Sequence, residues 1–433
     1  MTLKLYNSMT RALEDFRPLD PAQVRVYSCG PTVYDRAHVG NARAMVVVDL
    51  LHRVLRYLYG ENKVTLVRNV TDVDDKIIER SMENGETIAA LTERTLAAFH
   101  EDLATIGCLP PTIEPRATQH IPHMIAMIER LMDQGQAYAD GTGNVLFRTQ
   151  AMATYGALSR LSQDDLIAGA RIEVSEAKED PRDFVLWKPR KAQEPVHSAF
   201  DSPWGLGRPG WHIECSAMAL EHLGPVFDIH MGGLDLRFPH HENEIAQSCC
   251  ANGTDQMAHY WVHNGFVVVE GEKMSKSLGN FFTIPDLLAK GFKGEAIRLA
   301  LLETHYRAPM DLTMAKIQAA QNRLDSLYRE RAGGGDKDWG APTLDGLLDD
   351  LHTSDTLKNP ANFAFLGLLQ QDPEVWFKGE ASDDDTRIDA LLAERTAAKV
   401  AKNFTRADEI RDQLTAEGIV LEDNPTGTTW RRG

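Results

Sequence analysis

Four side chains that lie far apart in the chain have the chemistry of a metal centre: Cys29, Cys215, His240 and Glu244. Two thiolates, an imidazole and a carboxylate suit Zn2+. His240 and Glu244 stand four residues apart, so a helix would place them on one face. Cys29 ends a strand-like run, and Cys215 lies in Trp211-His212-Ile213-Glu214-Cys215. Spacing does not bring the four together. On spacing alone the commoner reading is two buried cysteines beside a helix-surface His/Glu pair. His241-Glu242 does not open a His-Glu-x-x-His metalloprotease motif, because position 245 is Ile245.

Two further groups suit a nucleotide. His38-Val39-Gly40-Asn41 follows a strand and opens a helix, where free backbone N–H groups and the positive dipole end suit phosphate. Gly40 would let a nucleotide approach the backbone. The plain alternative is a polar helix start. Lys273-Met274-Ser275-Lys276-Ser277 carries two lysines three apart in a Gly/Ser-rich loop. Such a pair makes a cationic clamp that can stabilise charge as pyrophosphate leaves an α-phosphate. The alternative there is a solvated loop.

These residues need elements to position them. Val24 to Tyr27 alternates as a strand and ends at the turn cluster Ser28-Cys29-Gly30-Pro31. Asn41 to Tyr59 has apolar residues at helical spacing, with Gly60 as its stop. Val64 to Val70 is a second strand, so the first hundred residues predict a right-handed βαβ unit in a parallel sheet. Ile88 to Leu103 and His120 to Gln134 read as helices, and Asn144 to Arg148 as a strand. Residues 150–210 are rich in charge, proline and glycine and read as an insertion or lid. Val226 to Met231 and Val262 to Val269 read as strands. From about Met314 the pattern is mostly helical. Ala332-Gly333-Gly334-Gly335-Asp336 reads as a flexible link, and Arg387 to Glu417 as two helices, with a capping box at Thr405 to Asp408 opening the second. The fold class is α/β: a doubly wound, Rossmann-like parallel-sheet domain with an insertion, then a C-terminal helical region.

Bulk properties narrow the field. A net charge of −17 argues against a protein that coats nucleic acid non-specifically, though not against one that meets a folded RNA by shape. No run of about 18 apolar residues appears, so no membrane partner is expected. The N-terminus lacks the plan of a signal peptide, which makes the expectation cytoplasmic. Five cysteines without a Cys-x-x-Cys pair do not suggest a disulfide framework or a zinc ribbon. Cys108, Cys249 and Cys250 read as buried small hydrophobes.

Taken in order, these stretches closely resemble the cysteinyl-tRNA synthetases, a class I family. Cys29-Gly30-Pro31-Thr32-Val33-Tyr34-Asp35 leading into His38-Val39-Gly40-Asn41 resembles that family's form of the class I HIGH motif. Asn69 to Lys76, Gly207 to Met218, Phe238 to Ser248, Lys273 to Phe282 and Ala407 to Arg431 continue the likeness. The resemblance implies one Zn2+ per chain, at Cys29, Cys215, His240 and Glu244. It implies ATP, with Mg2+, handled by His38, Gly40, Asn41, Lys273 and Lys276, with Lys276 the most direct contact. Substrate cysteine would sit near Thr71, Trp211, His230 and Asp235. The implied reaction is activation of L-cysteine to cysteinyl-AMP with release of pyrophosphate, then transfer to the 3′ end of tRNA-Cys. The implied layout is a catalytic domain over 1–310 (insertion about 112–205, lysine-loop region 260–310) and a tRNA-binding region over 311–433, in a monomer.

The chain departs from the family pattern at Asn41, the last HIGH position, and at Met231, where glycine is common. Leu344 to Asp385 is shorter than usual, and the family's acidic-Asn-Thr-Pro segment is only echoed by Asp349 to Ser354. Three rivals stand beside this reading, one of them a non-catalytic RNA-binding module, which would need neither the ligand set nor the lysine clamp. A ligase joining cysteine to a small amine, of the mycothiol type, would share the zinc and ATP motifs. A zinc hydrolase, with Glu242 or Glu244 activating water, would leave the lysine loop without a purpose.

Overall fold

The structure, a computed structural model, describes residues 2–162, 164–165, 178–274, 279–332, 339–379, 382–424 and 427–432. Its centre is a four-stranded parallel sheet. In chain order the strands are β1 (Val24–Ser28), β2 (Val64–Arg68), β3 (Phe227–Gly233) and β4 (Ala258–Asn264). In space the order is β4, β3, β1, β2. Val26 pairs with Ile229 and Val24 with Val64, so β1 lies between its partners. Successive strands are therefore added first on one side of β1 and then on the other. That reversal creates a crevice at the strands' C-terminal edge, the usual place for a ligand in such sheets.

The strand sequences bury both faces. Side chains alternate across a strand, so Val26, Leu66 and Val262 enter one core while Tyr27, Val67 and Trp261 enter the other. The first core lies under α1 (Val39–Tyr59), which joins β1 to β2. The second lies under α2 (Trp211–Leu223) and α3 (His240–Asn252). Near-continuous apolar strands of this kind are what a two-sided parallel sheet requires.

The stretch read as an insertion contains regular structure. Phe184–Pro189 and Gly207–Pro209 join Ala137–Ala139 and Val145–Phe147 in an antiparallel four-stranded sheet. Helix Ile121–Asp133, before that sheet, packs on α2 and α3 as part of the second core.

Several expectations are corrected. Val262 to Val269 is not one strand: β4 stops at Asn264, and Val267–Val269 belongs to a different sheet with Met310–Leu312. At the break the buried Arg43 guanidinium donates to both Gly265 O and Phe266 O, and Phe266 O also accepts from Met310 N at 3.0 Å, which hands the chain to the second sheet. After helix Met314–Ala332, residues 339–379 form only short helical pieces, Asp345–Leu348, Thr353–Thr356 and Pro373–Lys378. Glycine, proline and aspartate punctuate this stretch and stop longer helices. The two expected helices follow, Asp383–Val400 and Phe404–Ala416, but the second is capped by Asn403, whose side chain accepts from Arg406 N, and not by Thr405. The tail is a hairpin, Ile419–Asn424 with Gly427–Arg432, which closes a small separate core of Ile388, Leu392, Ile410, Leu414, Ile419 and Trp430. Residues 333–338, most of the expected flexible link, lie outside the described residues.

Candidate active site

Each strand delivers a polar group to the same edge. Cys29 follows β1 directly, and Asn69 and Thr71 follow β2. His230 lies in β3 and His263 in β4, with Trp261 registered on His230. Chain approach at the first of these turns is close. A Cβ on Gly30 would fall 1.6 Å from Asn69 O, so only glycine fits, and Gly30 N donates to Asn69 Oδ1 at 2.9 Å.

Cys29, Cys215, His240 and Glu244 converge: their ligand atoms lie within 4.8 Å of one another. Cys29 Sγ is 4.0 Å from Cys215 Sγ and 3.6 Å from Glu244 Oε1. Cys215 Sγ is 3.6 Å from His240 Nε2, which is 3.0 Å from Glu244 Oε1. Donors held at about 2.0–2.3 Å around one tetrahedral ion stand about 3–4 Å apart, so the spacing suits Zn2+. A second set, Cys29, His230, His241 and Glu244, is equally compact. The first holds two sulfurs and is the softer, better match to zinc.

Neighbours fix these donors. His212 Nδ1 lies 2.8 Å from His240 Nδ1, leaving Nε2 for the cluster. His230 Nε2 is 2.9 Å from Glu244 Oε2, so each carboxylate oxygen has its own imidazole. Trp211, 38% exposed, stacks on His240 with centroids 4.1 Å apart. Thr71 Oγ1 donates to the buried Glu214 at 2.7 Å.

Electrostatics follow from burial. Burial alone would raise the Glu244 carboxyl, but His230 and His240 hold it well below the usual range. Burial and the hydrogen bond to Cys215 push the Cys29 thiol well up. The same bond draws Cys215 down against burial. Burial drives His212 and His241 well below the ordinary imidazole value and keeps them neutral.

The nucleotide residues sit at the start of α1. His38 is its N-cap: Nδ1 accepts from Gly40 N at 3.0 Å and Asn41 N at 3.4 Å, while Asn41 Oδ1 accepts from His38 N at 3.1 Å. Burial lowers the His38 pKa, and the negative charge of the exposed Asp235 carboxylate opposes it. A Cβ on Gly40 would meet the His38 ring at 2.8 Å and Met274 Cε at 2.9 Å. Met274 thus lies against the helix start. Lys273 lies in the two-residue strand Glu272–Lys273, and Lys276 lies outside the described residues.

The single-residue reading missed Asn69, His212, Glu214, His241 and His263. Their signal was indirect: Asn69, His212, Glu214 and His241 lie in stretches quoted for the resemblance and His263 in none, and no one of them has a spacing of its own. Of the three cysteines read as buried hydrophobes, Cys249 is buried, while Cys108 and Cys250 are half-buried; all are free thiols.

Residues 15–322 match the family described as "tRNA synthetases class I (C) catalytic domain", and residues 382–431 match "Cysteinyl-tRNA ligase anticodon binding domain". A cysteine–tRNA ligase of Rhodospirillum rubrum is 53% identical over 465 aligned positions, covering all of both chains. One of Rhodospirillum centenum is 54% identical over 462 positions, again covering all of both. Both alignments are longer than the 433 residues of this chain, so these relatives carry residues it lacks. Among solved structures, Mycobacterium tuberculosis methionyl-tRNA synthetase with methionyl-adenylate superposes with a TM-score of 0.57 at 16% identity, over 80% of this chain and 82% of that one, a likeness of fold. A parallel sheet with its ligand groups at the C-terminal edge, two matching domains and full-length identity above one half place the chain in the cysteine–tRNA ligase family of class I synthetases.

Proposed function

We propose that the described cluster and the start of α1 are the two halves of a single cysteine-activating site. The family's reaction is the ATP-dependent joining of cysteine to tRNA. In its first step a cysteine carboxylate oxygen bonds to the α-phosphorus of ATP and the bond to pyrophosphate breaks. In the second, a hydroxyl of the terminal adenosine of tRNA bonds to the cysteine carbonyl and AMP leaves.

In this reading Cys29, Cys215, His240 and Glu244 hold one Zn2+. When bound, the ion would favour a substrate thiolate, for which free thiols have a pKa near ~8.5, and would disfavour a serine hydroxyl. Trp211 walls the cluster from above His240. Thr71, anchored on Glu214, and His230, anchored on Glu244, keep fixed polar groups beside it. Asp235, whose carboxylate charge acts on His38, suits the substrate ammonium. His38, Gly40 and Asn41 offer phosphate the positive end of α1, whose first N–H groups are held here by the reciprocal cap. Lys273 and Lys276, with Mg2+, take up charge as pyrophosphate leaves. No side-chain nucleophile is needed, because positioning and electrostatics suffice when the leaving group is already good.

The observation that carries this reading is the convergence of four ligands separated by up to 215 residues, on the sheet edge that also bears the His38 turn. We assign 1–310 to catalysis, with the insertion at about 112–205 and the lysine-loop region at 260–310, and 311–433 to tRNA. The match of 382–431 to an anticodon-binding domain supports tRNA over a small amine as acceptor. The location is taken as cytosolic and the chain as a monomer; among the described residues no helix is long and apolar enough to cross a membrane. Cysteine-dependent ATP–pyrophosphate exchange, followed by transfer of labelled cysteine, tests the reading. Exchange with charging of tRNA-Cys supports it. Exchange with transfer only to a small amine supports the rival ligase, and absence of exchange from zinc-loaded protein removes both.

A further inference from the structure

Arg43 lies in α1, has no part in the chemistry described so far, and is fully buried. Its guanidinium joins two separate segments. Nη1 donates to Gly265 O at 3.3 Å and to Phe266 O at 3.1 Å, and Nη2 donates to His305 O at 3.0 Å and to Ala308 O at 2.9 Å. Every one of these partners is a neutral carbonyl, and among the described residues no carboxylate pairs with it. Burial lowers its pKa to about 10, so it is a buried cation at neutral pH. Three of the four carbonyls accept from a second donor: Gly265 O from Asn264 Nδ2 at 3.1 Å, Phe266 O from Met310 N at 3.0 Å, and His305 O from Ala308 N at 3.0 Å. Those three do not need the guanidinium to be satisfied, and its own Nε has no partner. A buried charge without a counter-ion is costly, and a well-packed apolar side chain would cost less. Stability alone does not account for an arginine here.

What the two segments support does account for it. Phe266 leads directly into Val267–Val269, which pairs in parallel with Met310–Leu312 and antiparallel with Glu272–Lys273, with Val268 registered on Lys273. The join is tight: a Cβ on Gly265 would fall 2.5 Å from Ala308 O. Arg43 therefore grips the root of the lysine loop through both strands that lead to and flank it. Beyond the loop the chain returns to the same helix, where Val39 N donates to Phe282 O at 2.9 Å and the His38 and Phe281 rings are centred 5.1 Å apart. Resting on the assignment of ATP to the start of α1, we propose that Arg43 is a positioning residue for the activation step. It fastens the root of the lysine loop to the nucleotide helix, so that the two halves of the ATP site keep one spacing.

Two measurements on the full chain test this. In cysteine-dependent pyrophosphate exchange, Arg43→Met should lower kcat by about 100-fold, the cost of misplacing a reacting group by about 1 Å. Bound zinc and KM for cysteine should stay within about twofold of wild type. Arg43→Lys keeps the charge and three donors and should recover about tenfold of that loss, whereas a side chain that only fills space is replaced as well by methionine. The second measurement needs no variant to fold. In wild type, Mg2+ and ATP without cysteine should slow amide hydrogen exchange at 40–43 and, together with it, at 267–273 and 308–310, although 308–310 is not assigned to ATP. An unchanged kcat in folded Arg43→Met overturns the proposal, as does Arg43→Lys performing no better than Arg43→Met. So does a fall in kcat that comes with lost zinc and a raised KM for cysteine, which marks general loss of the site, or protection at 40–43 without protection at 308–310. Absence of protection at 40–43 under saturating ATP removes the nucleotide assignment instead.

Discussion

At the Cys29 end of the site every donor is buried: Cys29 is 8% exposed, Cys215 and His240 1%, and Glu244 0%. Each contacts at least two others of the group, and His212 and His230 brace the imidazole and the carboxylate from outside. At the His38 end, a few residues along the same edge, Asn41 is exposed and His38 and Gly40 are half-buried. One helix start with its reciprocal side-chain cap shapes it, with Met274 and Phe281 packed against His38 and Gly40. The first end is pre-organised by packing, which would hold a metal in one geometry under the proposed reading. The second, under the same reading, would meet phosphate through general features of a helix start. A change at the first end should therefore abolish one substrate's binding, while changes at the second should be graded.

The sharpest way to break this contrast is Cys215→Ser. It should raise the cysteine requirement in pyrophosphate exchange by more than ~100-fold, since even an outer partner of a metal ligand is worth about 10–100-fold. ATP binding and the circular dichroism spectrum should stay near wild type. Equal loss of cysteine and ATP binding would make the cluster a structural centre and remove the distinction between the two ends.

A next step separates both ends from the C-terminal unit. Trp430 is 4% exposed, packs in a core of few residues, and donates from Nε1 to Asp389 at 2.7 Å. Trp430→Ala should cost that unit about 3–5 kcal/mol. Exchange without tRNA should change less than about twofold, while tRNA charging falls, read by side-by-side assays of the same preparation.

Gly40→Ala sharpens the nucleotide end. The added methyl must displace the His38 ring or Met274. An increase of about tenfold in KM for ATP, equivalent to about 1.4 kcal/mol, with metal content unchanged, is the expected result. A rise in KM for cysteine alone would show that this helix start does not face the nucleotide.

The smallest effect is a pH dependence. His38 caps α1 through an accepting Nδ1, so protonation there ends the cap. Its pKa is lowered in the folded chain, chiefly by burial. As pH falls, the unfolded chain takes up the proton first, near ~6.5, so the stability due to this cap is present above that value and is lost through the lower folded pKa. The melting difference between wild type and His38→Ala should shrink between pH 7.5 and 5, by the equivalent of about 1 kcal/mol. A constant difference would mean that the cap does not depend on the neutral ring.

Local pattern made much of this legible. The strand–helix–strand start, Gly60 as a helix stop and the shared face of His240 and Glu244 all follow from periodicity and short-range chemistry. The break after Asn264 was not legible, because the residue that enforces it, Arg43, comes from a helix 222 residues earlier. Nor was the cap by Asn403, since Thr405 and Asp408 offered a competing local match. His212, His241 and His263 acquire roles only from what they touch, and nothing in their sequence spacing announces those contacts.

The order and identity of the motifs were enough, by themselves, to determine the family, the parallel α/β plan and the residue types available for zinc and phosphate. Only the tertiary structure decided that Cys29, Cys215, His240 and Glu244 meet and that Glu244 is divided between two imidazoles. The reason is reach. Hydrophobic period and capping act over a few residues along the chain, whereas a ligand set is assembled by strand order and helix packing, which bring together residues that the chain keeps hundreds of positions apart.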